Sequence, residues 1–121
     1  MRLHTLLLLS LFATPALAEA PPSTNSFGTY LDSHLASRLN DLDGVVDYTK
    51  AALKFDAGNG LLAERLLQAE ILRGDISEAE GLAPQVIKTN SQQRTARLVL
   101  GLKDFRNRRF ADARANFNEA A

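Results

Sequence analysis

Apolar residues recur at helical spacing from Ser26 to the end of the chain, and turn-forming residues separate the apolar segments at intervals of roughly 17 residues. This pattern predicts an all-α chain of six helices. The predicted helices span residues 26–39, 42–55, 60–73, 76–88, 92–106 and 110–121.

The residues that precede several of these helices have the chemistry of helix caps. Asp41, Asn59 and Asp75 have short polar side chains, which accept hydrogen bonds from the free amides of a first turn. Glu78 follows Asp75 by three positions, the spacing of a capping box.

Helix ends are predicted at Gly74, Asn40 and Asn107, because glycine and asparagine adopt the left-handed backbone that often ends a helix. Pro84 falls inside the fourth predicted helix. Since proline has no amide hydrogen and clashes with the preceding turn, we expect it to kink that helix or to delay its start.

The chain is similar to itself at a shift of 34 residues. This shift aligns apolar or small residues in three columns: Leu42, Ile76 and Phe110; Val45, Ala79 and Ala113; Ala52, Val86 and Ala120. A helix-turn-helix unit with this period is typical of the tetratricopeptide repeat.

The last segment, from Arg94, resembles the tetratricopeptide repeat family best. Leu100-Gly101 is similar to the Leu-Gly pair of the family's first helix. The second-helix pattern of the family is matched by Phe110, Ala113, Phe117 and Ala120. The middle segment keeps Leu66, Gly74-Asp75 and Ala79, but it has Leu67 where the family prefers a small residue.

The resemblance implies a right-handed α-solenoid of about three repeats, over residues 26–59, 60–93 and 94–121, with the last repeat incomplete. In the family, the first helix of each repeat lines a concave groove that binds extended peptides or partner helices. Carried over to this sequence, the groove residues are Tyr30, His34, Arg38, Glu64, Gln68, Ile71, Leu98, Leu102 and Phe105. The alternative for each polar residue is a solvated face without a partner.

The resemblance also implies which residues hold the helices of a repeat together. Gly101 lies inside a predicted helix, where glycine costs about 1 kcal/mol relative to alanine, so we expect a close approach of the paired helix there. Ala79 and Ala113 are expected at the same crossing. Because the last helix ends before its repeat is complete, we expect Phe110, Phe117 and the neighbouring alanines to face solvent unless further repeats or a second copy cover them.

Residues 1–18 have the pattern of a secretory signal peptide: Arg2 precedes the apolar run Leu6–Ala13, and a small-x-small motif follows. A membrane anchor is the alternative, but the run is shorter than the roughly 20 residues that span a bilayer. We expect cleavage after Ala18, a bacterial periplasmic location, and a proline-containing linker over residues 19–25.

Composition and charge argue against several function classes. The chain has 14 Lys and Arg and 14 Asp and Glu, a balance that disfavours nucleic-acid binding and a polybasic membrane-binding surface. It has no cysteine, which removes disulfides, thiolate metal sites and thiol nucleophiles.

No serine lies in a nucleophile elbow, and no His, Asp or Glu residues have a metal-ligand spacing. We therefore assign no catalytic residue, cofactor or metal. The favoured hypothesis is a non-enzymatic periplasmic scaffold that binds a protein or peptide through the groove. The alternative is an N-terminal fragment or accessory subunit of a larger envelope protein or complex, whose activity lies elsewhere.

Overall fold

The computed structural model describes residues 25–121, which form six α-helices and no strand within that range. The helices are α1 (Ser26–Arg38), α2 (Leu42–Phe55), α3 (Gly60–Arg73), α4 (Ile76–Thr89), α5 (Arg94–Arg106) and α6 (Phe110–Ala120). The predicted all-α class is confirmed. The predicted signal peptide and nearly all of the linker lie outside the described residues.

Side-chain caps start α2, α3 and α4 where the sequence predicts them, whereas α5 begins at Arg94 and not at residue 92, because Gln93 caps it. The carboxylate of Asp41 accepts a hydrogen bond from the Gly44 amide at 2.9 Å, and that of Asp75 accepts one from the Glu78 amide at 3.1 Å. The reciprocal bond of a capping box is not formed, because the Asp75 amide donates to the carbonyl of Glu70 instead. The capping-box prediction is therefore right for Asp75 and wrong for Glu78.

The same turn backbone recurs every 34 residues between the paired helices. Asn40, Gly74 and Arg108 have φ values of 56°, 88° and 60°. In each case the amide of the following residue donates to the carbonyl five positions back, which closes the helix end. The prediction of a left-handed Asn107 is wrong: its φ is −84°, and the periodicity of the turns places the left-handed residue one position later.

Pro84 lies within a helix that begins at Ile76, so it does not delay the helix start. Its ring is exposed, and the buried residues of the same helix are Ala79, Glu80, Ala83 and Val86. The missing amide of Pro84 is therefore tolerated on the side of α4 that faces away from the core.

Each helix packs mainly on the next helix along the chain. The core is built from small and branched side chains, so that neighbouring helices approach closely. One cluster joins α3, α4 and α5 through Ala63, Leu67, Ala79, Ala83, Val86, Ala96 and Val99. A second cluster joins α1, α2 and α3 through Ala36, Val45, Val46, Leu66 and Ala69.

The predicted close approach at Gly101 is confirmed. A Cβ on Gly101 would lie 2.5 Å from Cε1 of Phe117, so this ring of α6 occupies the space that the glycine leaves. Ala113 and Ala120 are buried beside it. The expectation that Phe117 and the alanines face solvent is therefore wrong for this inner side of α6, whereas Phe110 is 59% exposed.

Candidate partner-binding face

Tyr30, His34 and Arg65 form a stacked cluster between α1 and α3. The rings of Tyr30 and His34 meet edge to face with their centroids 4.6 Å apart, and the guanidinium of Arg65 lies 5.6 Å from the Tyr30 centroid. Nη2 of Arg65 is 3.1 Å from Nε2 of His34. Because arginine only donates hydrogen bonds, Nε2 of His34 is the acceptor in this bond.

Arg65, like Arg38 on α1, makes no carboxylate contact within 4 Å among residues 25–121. Its Nη1 atom is buried and has no hydrogen-bond acceptor among the described residues. Four other arginines of residues 25–121 contact carboxylates within 4 Å: Arg73, Arg97, Arg106 and Arg109. A buried cationic nitrogen without an acceptor is costly, and because the protein encloses this atom it is not an open position for a ligand.

Two adjoining cavities run along α3 beside this cluster. The first, of about 190 Å³, lies between α3 and the end of α1 with the turn that follows it. Its lining includes Arg65, Gln68 and Leu72 of α3, Ser37 of α1 and Asn40 of the turn. The second, of about 260 Å³, lies between α3 and α5 and is lined by Gln68, Ile71, Leu72 and Thr95. The two cavities share Gln68 and Leu72, so they lie next to each other along α3.

We call the exposed side of α1, α3 and α5 the candidate face. It carries the predicted groove residues Tyr30, His34, Arg38, Glu64, Gln68, Ile71, Leu98, Leu102 and Phe105. The structure brings Tyr30 and His34 together with α3 through Arg65, and it brings Gln68 and Ile71 together with α5 through the second cavity.

The α5 part of the candidate face is apolar and accessible. Leu98 and Leu102 follow Thr95 by three and seven positions, so they lie on the same side of the helix as the cavity residue. Leu98 is 46% exposed, and both Leu102 and Phe105 are 59% exposed. Arg38 is likewise exposed, at the end of α1.

Glu64, which the resemblance places in the groove, also has a structural role. Its carboxylate accepts a hydrogen bond of 3.1 Å from the side-chain amide of Gln93. The side-chain oxygen of Gln93 in turn caps α5 by accepting from the Ala96 amide at 2.6 Å. Glu64 therefore helps to orient the start of α5, and it is half-buried in doing so.

The prediction from sequence missed Arg65, although the repeat pattern contained a signal for it. At the 34-residue shift, Arg65 aligns with Leu31 and Val99. A charged residue in a column that is otherwise apolar is a departure that packing alone does not explain. Reading the columns for such departures would have singled out this residue.

A second charged cluster has a structural role. Glu70 is fully buried on α3 and lies 2.8 Å from Nζ of Lys50 and 2.8 Å from Nη2 of Arg73. The side-chain hydrogen bond to Glu70 raises the pKa of Lys50 above its ordinary value of 10.5, although partial burial opposes the shift. Because Glu70 is inaccessible, this cluster links α2 to α3 and offers no binding surface.

Among residues 25–121, no group of three or more His, Asp or Glu side chains is placed to hold a metal ion. No helix within this range has the length and apolar content needed to cross a membrane. Comparison with known proteins finds no protein-family model that matches the chain, and no curated protein matches it.

Proposed function

We propose that this chain is a non-enzymatic scaffold that binds another protein through the candidate face. In this proposal the six helices are tetratricopeptide-like repeats that stack as a right-handed solenoid of about three units. Two features support the repeat assignment: the turn backbone recurs at Asn40, Gly74 and Arg108, and each helix packs mainly on its neighbour in the chain.

The two adjoining cavities along α3 carry the binding proposal. One gives a polar region around Arg65, and the other gives an apolar region at Ile71 and Leu72. Leu98 and Leu102, on the same side of α5 as the cavity residue Thr95, are exposed. Accessible apolar side chains beside a groove are typical of protein-binding surfaces. A peptide laid along α3 would cover both regions at once.

The proposal includes export to the bacterial periplasm and removal of residues 1–18. Its support is the charged start, the apolar run and the small-x-small motif of this segment. The scaffold would then meet its partner in the periplasm.

A co-purification experiment tests the binding role. The full chain carrying Leu98→Glu and Leu102→Glu places two charges on the apolar part of the candidate face. The matched control, Ala111→Glu with Ala115→Glu, adds the same charge to exposed positions of α6. We expect proteins that co-purify with the unmodified chain to be retained by the control and lost with the α5 variant.

Equal retention by the two variants would place the interaction elsewhere and contradict the proposal. Circular dichroism of both variants checks that each remains helical, so that loss of a partner is not loss of the fold.

A further inference from the structure

An apolar row runs along α1 and ends at the residue that caps it. Its four members recur at every fourth position and are between 49% and 70% exposed: Phe27, Leu31, Leu35 and Leu39. Residues four apart form one continuous ridge on the surface of a helix. Among residues 25–121, no other exposed large apolar side chains form so long a row at this spacing. We call these four residues the α1 ridge.

The 34-residue columns show what covers the equivalent positions in the later helix pairs. Leu35 aligns with Ala69 of α3, which is 3% exposed in the core cluster that joins α1, α2 and α3. Leu31 aligns with Val99 of α5, which is 7% exposed in the cluster that joins α3, α4 and α5. This side of α3 and of α5 therefore packs on the preceding helix pair. On α1 the same side is open within the part of the chain that the structure describes.

The last helix pair of a second copy is a poor cover for this open side. Arg106 of α5 lies 2.7 Å from Glu80 of α4, across the contact between two successive helix pairs. In the 34-residue alignment, Arg38 stands at the position of Arg106. Arg114 stands at the position of Glu80. A copy docked end to end would therefore set Arg38 against Arg114, and such a pairing of like charges is unfavourable.

We propose that the α1 ridge packs against the α1 ridge of a second copy, which gives a two-fold symmetric dimer. A two-fold contact uses the same surface on both copies, so that surface must be complementary to itself. A row of residues four apart meets this condition, since two such rows interdigitate in the commonest class of helix packing. All four members are apolar, so ridge against ridge opposes no like charges. The inference goes beyond the proposed function and does not rest on it, because no ridge residue is a predicted groove residue.

The size of the α1 ridge suits a dimer of moderate affinity. Four large side chains, each exposed by about half or more, offer a few hundred Å² per copy, within the range of about 300–600 Å² that often marks an interaction site. A standard interface takes about 800 Å² from each partner. We therefore expect a dissociation constant in the micromolar range and not below it.

Sedimentation equilibrium of the purified chain tests this inference, and mass spectrometry establishes which residues that chain retains. The test variant carries Leu31→Glu and Leu35→Glu. Its matched control carries Leu98→Glu and Leu102→Glu on α5. Both pairs are four residues apart, and their side chains are 49% and 58% exposed in the test pair and 46% and 59% exposed in the control pair.

At a concentration of about 100 μM, we expect the unmodified chain and the α5 variant to be mainly dimeric, with a Kd of about 10 μM. The ridge variant should be monomeric, with its Kd raised at least about tenfold. If the ridge variant does not fold, as judged by circular dichroism, single cysteines decide, because the chain has none of its own. A short bis-maleimide should join two copies of Leu35→Cys and leave Leu102→Cys as single chains.

A monomeric unmodified chain overturns the inference, whether or not it retains residues 1–18. A dimer that persists in the ridge variant, or one lost equally in both variants, overturns it as well. Assemblies that keep growing with concentration would indicate end-to-end contacts and have the same consequence. Co-purification separates this inference from the proposed function: partner binding that depends on Leu98 and Leu102 in a monomeric chain rejects the dimer alone.

Discussion

Replacing Gly101 by alanine sets helix propensity against packing at the contact between α5 and α6. The added Cβ would lie 2.5 Å from Cε1 and 2.6 Å from Cδ1 of Phe117, so the ring has to move. Overpacking of this kind costs about 1–3 kcal/mol, whereas glycine to alanine inside a helix gains about 1 kcal/mol. We expect Gly101→Ala to lower the free energy of unfolding by about 1 kcal/mol, the middle of the resulting range.

Gly81 supplies the matched control. It lies inside α4 on an exposed position, and a Cβ added there meets nothing within 4 Å. Gly81→Ala therefore gains helix propensity without a clash and should raise the free energy of unfolding by about 1 kcal/mol. Urea denaturation followed by circular dichroism measures both variants, and a change of 1 kcal/mol shifts the Tm of a domain of this size by roughly 4–8 °C.

Equal stabilisation by the two substitutions would refute the packing explanation of Gly101. Repeating the substitution of Gly101 in a Phe117→Ala variant identifies the contact that causes the destabilisation. In Phe117→Ala the obstructing ring is gone, so Gly101→Ala should there stabilise as Gly81→Ala does. Continued destabilisation in that background would mean that the cost arises from some contact other than Phe117.

Three further predictions concern the core and its ion pairs. Ala113 is 2% exposed, so Ala113→Phe should lower the free energy of unfolding by about 1–3 kcal/mol. Ala115 is exposed, so Ala115→Phe should change this free energy by less than about 0.5 kcal/mol. Thermal denaturation compares the two variants. Glu70→Gln removes the buried carboxylate that pairs with partly exposed cations, so it should lower the free energy of unfolding by about 1–3 kcal/mol in urea denaturation. Glu78→Gln removes only an exposed partner and should leave this free energy nearly unchanged. Because the folded pKa of Lys50 is raised, its stabilisation is complete below pH 10.5 and is lost as the pH rises through the higher folded value. As the pH rises from neutral to above 10.5, the Lys50→Met variant should therefore lose less stability than the unmodified chain. If the stabilities of the two proteins fall in parallel with pH, Lys50 does not contribute in this way.

Local chemistry explains why the helices were predictable. Asp41, Asn59 and Asp75 cap α2, α3 and α4 with their own side chains, so a few neighbouring residues specify these three starts. The end of α5 was predicted at the right residue, but the left-handed residue after it was not, because asparagine outranks arginine in left-handed propensity whereas the repeating turn geometry requires Arg108 to adopt that backbone. Here the tertiary arrangement overrides the local preference.

The candidate face was less predictable, because the roles of its residues depend on neighbours that are distant in sequence. Glu64 looked available on its helix, but Gln93 of the next helix pair binds it. Arg65 acquires its significance only where α3 meets Tyr30 and His34 of α1. A helical pattern tells which side of a helix a residue occupies, but it does not tell which group lies opposite.

Photocrosslinking in the cell that makes the protein tests the central claim most directly. One variant carries the crosslinking amino acid in place of Gln68, an exposed residue shared by the two adjoining cavities. The other carries it in place of Lys88, an exposed residue of α4. If the candidate face binds a partner, the variant at Gln68 gives an adduct of defined mass and the variant at Lys88 gives none. An adduct formed from Lys88 alone, or equally from both positions, would contradict the assignment of the binding face to α1, α3 and α5.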